Sequence, residues 1–430
     1  MKAAVVGLGK IGLPLAVQIA GRGIPTVGAD ISPDVVASVG AGVPPFPGEP
    51  GLEEGLAAQI ANGSLRATTS TAEAVQDATV VVVVVPLMVY RSGTPTFEGI
   101  DGATAAIGGA LRRGQLVVYE TTLPVGTTRD RFGPQLEESS GMRVGTDFYL
   151  AFSPERVSSG SVFRDLRRYP KLVGGVDEAS TCAAIAFYER ALEFDARPDL
   201  DRPNGVWEMA STEAAELAKL AETTYRDVNI ALANEFATYS EALGLDGRAV
   251  IAAANSQPYS HIHRPGVAVG GHCIPVYPRF YLAGHTDAVL PAAARSVNEA
   301  QPERVVARLE DLAGPLVDQK VVVLGAAYRG GVKETAFSGV FGVVEAVAKR
   351  GGISVVHDPL FDDDELVDLG LEPHRMGDRA DAAILQADHA DYLDLRPADI
   401  PGCRVMVDGR GVLDETVWAT DVTFAAVGIG

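Results

Sequence analysis

The segment Gly270-Gly271-His272-Cys273-Ile274-Pro275 sets a cysteine in a glycine-rich loop, where backbone amides can stabilise a thiolate. Such a thiolate is a nucleophile for an electrophilic carbon; the plainer alternative is a packed, inert thiol. Near the N-terminus, Gly7-Leu8-Gly9-Lys10-Ile11-Gly12 follows a strand pattern and opens a helical one. The first glycine permits a tight turn, the second lets the backbone approach a pyrophosphate, and the third allows helix and strand to pack closely. Asp30 ends the next strand pattern, where a carboxylate accepts from a ribose 2′-hydroxyl and repels a 2′-phosphate. Together these features predict a dinucleotide site for NAD rather than NADP. Pro86 and Thr121-Thr122 end later strand patterns at the same carboxyl edge, where such folds bind ligands.

The elements that must hold these groups are legible as runs and periods. Consecutive apolar residues at 3–6, 25–29, 80–85, 116–119 and 148–152 suit parallel strands buried on both faces, with helical patterns at 13–22 and 104–112 between them. From 211 to 243 apolar residues recur every three or four positions, at 214, 217, 221, 225, 228, 232, 236, 239 and 243. That period predicts one helix of about 48 Å, with Ser211 as N-cap and Gly244 as the stop beyond its C-terminus. A helix this long, apolar on more than one face, is expected to link two domains and to pack against a second subunit. After a helical stretch at 292–299, strand patterns resume at 320–325, 353–356, 382–385 and 405–407. The fold class is therefore α/β: two Rossmann-like doubly wound domains joined by a long central helix. The expected limits are 1–205 for an NAD-binding domain, 206–305 for a central helical segment carrying the cysteine loop, and 306–430 for a smaller second α/β domain.

Composition excludes several classes of function. The chain has 430 residues, 47% hydrophobic and 21% charged, as in ordinary globular proteins. Acidic residues outnumber basic ones 56 to 36, and the net charge of −20 argues against a nucleic-acid or anionic-membrane binder. The longest apolar run, 78–85, falls far short of the roughly 20 residues that span a bilayer. No signal peptide is expected, because the strand pattern begins at once, and three cysteines make no disulfide scaffold, so a cytoplasmic enzyme is the expectation.

Several motifs in one order extend the reading. Besides the glycine loop with Asp30 there are Glu120-Thr121-Thr122-Leu123-Pro124-Val125-Gly126-Thr127-Thr128, Ser153-Pro154-Glu155-Arg156, Lys219-Leu220 followed by Arg226-Asp227-Val228-Asn229, Gly270-Gly271-His272-Cys273, and Asp408-Gly409-Arg410. In these the sequence resembles the UDP-glucose/GDP-mannose dehydrogenase family, the nucleotide-sugar 6-dehydrogenases, over almost its whole length. The resemblance implies a four-electron, NAD-dependent oxidation of a sugar C6 alcohol to a carboxylate. Cys273 would form a thiohemiacetal and then a thioester; Lys219 would stabilise oxyanions; Glu155 would be general base for the hydrolytic water, with Thr122 holding that water. The resemblance also places Glu155, Arg156, Lys219, Tyr259, Gly270, Arg329 and Arg410 at the substrate, the two C-terminal arginines at its nucleotide part. No metal is implied, and His261 and His263 lack a ligand set around them.

The match has departures. Thr223 stands where the family usually has asparagine, Tyr277 where it has aspartate, Ala336 and Tyr259 where it has arginines, Ala268 for a glycine and Arg329 for a lysine. The Thr223 and Tyr277 exchanges touch oxyanion and water handling, and Thr223 keeps a hydroxyl for that role. The motifs at 153–156 and 271–275 look more like the branch acting on N-acetylhexosamine nucleotides, but they lie near the chemistry rather than the C2 substituent and leave sugar and base open. Two other classes fit parts of the chain. One is a two-electron hydroxyacid or sugar-alcohol dehydrogenase, disfavoured by Cys273 and the second α/β domain; the other is a non-catalytic NAD or nucleotide-sugar sensor.

Overall fold

The computed structural model describes residues 1–90, 94–419 and 421–430. They form two compact units, Met1–Glu222 and Thr223–Gly430. The first unit holds β1 (Ala3–Val6), β2 (Thr26–Ala29), β3 (Leu65–Thr68), β4 (Val80–Val83), a short hairpin of β5 (Met88–Val89) and β6 (Pro95–Thr96), then β7 (Leu116–Tyr119), β8 (Tyr149–Phe152), β9 (Lys171–Gly175) and β10 (Val206–Glu208). Apart from the hairpin they make one sheet in the order β10-β9-β8-β7-β4-β1-β2-β3. Every residue of β1, β4 and β7 is buried, which is why their sequences are apolar at every position without alternation. Val80 and Val82 pack with Leu13 and Ile19 on one face, Val81 and Val83 with Ile100 and Phe132 on the other.

Three features of this unit differ from expectation. β3, β9 and β10 carry too few apolar residues to announce themselves. β9 runs antiparallel to β8, pairing Ala151 with Gly175, so the sheet is not wholly parallel. The helix expected over 104–112 spans Glu98–Ala110; four glycines obscured its period, and one of them, Gly108, is needed because a Cβ there would lie 2.5 Å from the Ser139 side chain on the neighbouring helix Gly133–Ser140.

The second unit holds β11 (Lys320–Leu324), β12 (Ile353–His357), β13 (Ala382–Leu385), β14 (Val405–Asp408) and β15 (Thr423–Ala426), all parallel, in the order β12-β11-β13-β14-β15. The turns after the first strand of each sheet are built alike. Gly7 and Gly325 take φ of 97° and 108°, and a carboxylate closing the next strand accepts the following amide: Leu8 N to Asp30 Oδ2 and Ala326 N to Asp358 Oδ2, both 2.8 Å. Asp358 also accepts from Ala327 N, Leu360 N and the ring of buried His389.

The helix Thr212–Ala242 begins in the first unit and ends in the second. Ser211 Oγ accepts from Ala214 N at 3.2 Å, and Gly244 closes the C-terminal end at φ 69°. Its regular apolar stripe is the side left exposed: Leu217, Tyr225, Leu232, Phe236, Tyr239 and Leu243. The buried side is largely polar, with Glu216, Lys219, Thr223, Asp227, Asn234 and Ser240. Among the described residues no helix is long and apolar enough to cross a membrane.

Glu216 shows how that polar side is accommodated. Its carboxylate accepts from Gly126 N at 2.6 Å, Thr128 N at 2.9 Å and Thr128 Oγ1 at 2.7 Å. Burial pushes its carboxyl up to about 7, against the pull of those donors toward the charged form. A carboxyl raised in the folded state binds its proton more tightly there, so this group's contribution to stability is present below its ordinary value of 4.5 and is lost as pH rises through about 7. Glu216→Gln removes the titration: the loss of urea-unfolding free energy between about pH 5 and about pH 8 is expected to shrink by on the order of 1–3 kcal/mol. Equal pH dependence in both proteins would refute the assignment.

Candidate active site

In the first unit the sheet's carboxyl edge gathers the predicted dinucleotide residues. A Cβ on Gly12 would lie 1.8 Å from Gly7 O, and one on Gly7 would lie 3.0 Å from the Val84 backbone, so both positions require glycine. Gly9 has nothing within 4 Å of such a Cβ and is exposed beside Lys10, an open approach for a pyrophosphate, while Ile11 is half-buried. Asp30 accepts from Leu8 N and, at 3.0 Å, from Ser32 N. A carboxylate has about four acceptor positions, so it retains capacity for ribose hydroxyls. Pro86 is exposed, Thr122 is buried, and Thr121 Oγ1 donates to Val85 O at 2.6 Å, joining the ends of two neighbouring strands. These residues fit an NAD molecule.

The same edge carries Glu155, whose backbone amide donates to Glu120 O at 3.1 Å. Its carboxylate accepts from Val157 N. Burial pushes the Glu155 carboxyl above its ordinary range; the charge of Lys219 opposes the shift most, then the Val157 amide and Lys171, while Glu120 adds to it. Glu155 and Lys219, far apart in sequence, are therefore electrostatic neighbours. Lys219 is itself buried. Arg156 donates from Nε to Glu222 Oε2 at 2.8 Å and from Nη1 to Pro170 O at 3.2 Å. A pocket joins Ile11 of the glycine loop to Glu120, Glu155, Arg156 and Lys171.

Sequence reasoning missed the support beneath Glu155. Lys171 Nζ meets Glu120 Oε2 at 2.7 Å with both side chains buried, and Tyr188 OH donates to Glu120 Oε1 at 2.5 Å. Lys171 opens a strand that reads as loop, so nothing in the sequence pattern marks it.

In the second unit the 266–275 loop lies across the carboxyl ends of the five-stranded sheet. Val267 N donates to Gly409 O at 3.0 Å and Gly271 N to Ala336 O at 2.8 Å. A Cβ on Gly270 would come within 2.6 Å of Tyr328 Cβ, and Gly271 has φ 91°, so the paired glycines are required by close approach and by backbone angle. The methyl of Ala268 sits against Gly339, where a Cβ would be 2.4 Å away. Cys273 is half-buried; its carbonyl accepts from Tyr277 N at 2.8 Å. Of the other two cysteines, Cys182 is exposed and Cys403 is buried, its thiol pushed up to about 11 by burial.

Around this loop stand the C-terminal cations. Arg410 donates to Gln386 O at 2.5 Å and Tyr328 O at 2.9 Å, and Arg329 is exposed with its Nε 3.2 Å from Tyr328 OH. The cysteine loop, Tyr328 and both arginines thus share one strand edge. Tyr259 is not part of that group of contacts; it is 91% exposed. Thr223 is buried on the long helix. Among the described residues no group of His, Cys, Asp or Glu is arranged to hold a metal ion.

Comparison with known proteins identifies the family. Models of the UDP-glucose/GDP-mannose dehydrogenase family match the chain over residues 1–192 as its NAD binding domain, 213–300 as its central domain and 322–415 as its UDP binding domain. A UDP-N-acetyl-D-mannosamine dehydrogenase of Pyrococcus horikoshii is 32% identical over 423 residues, 96% of each chain. An NDP-N-acetyl-D-galactosaminuronic acid dehydrogenase of Ralstonia nicotianae is 32% identical, covering 95% of each. The solved structure of the UDP-D-ManNAc dehydrogenase from Pyrococcus horikoshii superposes with a TM-score of 0.88 at 30% identity over the full length of both chains. The chain belongs to the UDP-glucose/GDP-mannose dehydrogenase family and is an NAD-dependent nucleotide-sugar dehydrogenase.

Proposed function

We propose that the chain carries out a four-electron oxidation of C6 of a nucleotide-linked N-acetylhexosamine to the uronic acid, with Cys273 as nucleophile. The observation that carries this reading is the docking of the cysteine loop on the strand edge that also bears Arg410 and Arg329. The acetylated sugar is supported by the names of the two relatives, both of which act on N-acetylhexosamine nucleotides. NAD, held by the 7–12 loop, Asp30, Pro86, Thr121 and Thr122, would supply one hydride acceptor for each oxidation, alcohol to aldehyde and thiohemiacetal to thioester, with one molecule exchanged for another between them. Lys219 stabilises the alkoxide as the C6 hydroxyl loses its proton. The Cys273 thiolate adds to the aldehyde carbon and holds it as a thiohemiacetal, so the aldehyde does not escape. In the hydrolytic half, Glu155 takes a proton from water as that water attacks the thioester carbon, and Cys273 leaves as thiolate. Burial raises the Glu155 carboxyl and so makes its carboxylate a stronger base toward the water. Thr122 and Thr223 offer hydroxyls to the water and the oxyanion. Arg156, Tyr259 and Gly270 complete the substrate set, and Arg410 and Arg329 engage the diphosphate and nucleotide.

The working parts are residues 1–205, 206–305 and 306–430, and the setting is the cytoplasm, where thiols stay reduced. The exposed apolar stripe of the helix Thr212–Ala242 supports a homodimer through that helix.

Two experiments test these readings. With NAD and a panel of UDP-, dTDP- and GDP-sugars including UDP-N-acetylmannosamine, about two NADH are expected per sugar consumed, with a uronic acid found by mass. Cys273→Ser should form no acid yet still bind the nucleotide sugar; full acid production by that variant would sink the thioester route. For assembly, light scattering should give about twice the 45.0 kDa chain mass, and Leu232→Asp with Tyr239→Asp should give the chain mass alone. A wild-type protein that scatters as a monomer removes the dimer.

A further inference from the structure

The loop that bears Cys273 contains three glycines, at 266, 270 and 271, and so has little conformational preference of its own. Its two ends are tied to one buried hydrogen-bonded chain. At the first end Gly266 N donates to Asn234 Oδ1 at 3.0 Å. Asn234 Nδ2 then donates to Asn298 Oδ1 at 3.0 Å, and Asn298 Nδ2 to Asp227 Oδ1 at 2.8 Å. Asp227 receives Arg295 in a two-pronged pair, Nη2 to Oδ1 at 2.6 Å and Nε to Oδ2 at 2.7 Å. At the far end Arg295 Nη1 donates to Pro275 O at 3.3 Å, two residues beyond Cys273. All four side chains are buried.

The polarity of this chain is single-valued. A backbone amide at one end and a carboxylate at the other fix the orientation of both asparagine amides, so no member can flip without breaking a bond. A buried ion pair of this kind adds little stability over apolar packing, yet it fixes geometry because it breaks at high cost. We propose that Asn234, Asn298, Asp227 and Arg295 are positioning residues that hold the 266–275 loop at both ends and so set the attack geometry of Cys273. None of them is assigned contact with substrate or cofactor. The proposal rests on the reading of Cys273 as nucleophile, and a misplacement of about 1 Å at a reacting atom costs about 100-fold in rate.

The test uses the full chain with Arg295→Lys, which keeps a charge for Asp227 but cannot span Asp227 and Pro275 O together, and Asn298→Ser as a second, milder variant. Both should unfold cooperatively and bind NAD and UDP within about threefold of wild type, while kcat falls about 100-fold with KM little changed. Alkylation of Cys273 by iodoacetamide, followed on its own peptide by mass, should speed up about fivefold as the loop loosens, the opposite direction to turnover. Folded variants with unchanged kcat and unchanged alkylation overturn the proposal, as does a loss of UDP affinity matching the loss of kcat. The alkylation rate needs no turnover, so it decides the positioning role even if Cys273→Ser remains active, the result that removes the nucleophile reading instead.

Discussion

A polar group taken out of water costs free energy unless it finds a partner in the protein, and the helix Thr212–Ala242 buries Glu216, Lys219, Asp227 and Asn234 among others. In the first unit Glu216 is met by the Gly126 and Thr128 amides at the end of the glutamate-threonine motif, and Lys219 shares its surroundings with Glu155. In the second, Asp227 and Asn234 are met by Arg295, Asn298 and the amide of Gly266. The motif at 120–128 and the start of the 266–275 loop are thus held in part by the helix's buried polar groups. An apolar face turned inward would have packed as well but would have set no loop in place.

The two sheets share a first turn but differ in what it leaves available. Asp30 spends two acceptor positions on backbone amides, whereas Asp358 spends its capacity on Ala326, Ala327, Leu360 and His389 and is buried. Asp30 therefore keeps acceptor capacity that Asp358 has used. Likeness of fold and likeness of ligand separate at the level of one carboxylate's hydrogen bonds.

Much of this was legible in the sequence where a residue type has one physical use. The glycines at 7 and 12, the carboxylate at 30, the paired glycines before Cys273 and the all-valine strand β4 each answer a single constraint, and the rest of the candidate site came from the family resemblance. What escaped was set by tertiary pairing. Lys171 and Glu120 gain meaning only from each other and from Tyr188, which lie about 51 and 68 residues from Glu120. Edge strands such as β3 need little apolar sequence, because one side meets water. The stripe on the long helix was visible, but which face it served was not. Periodicity reports that two faces differ, and the polar face went inward because loops from both units satisfy it there.

The contact of Gly270 and Gly271 with Tyr328 has one further consequence. Tyr328 also supplies a carbonyl to Arg410 and an aromatic face to Arg329. Tyr328 is thus in contact with the cysteine loop on one side and with both arginines on the other, and a substitution there would disturb both places at once.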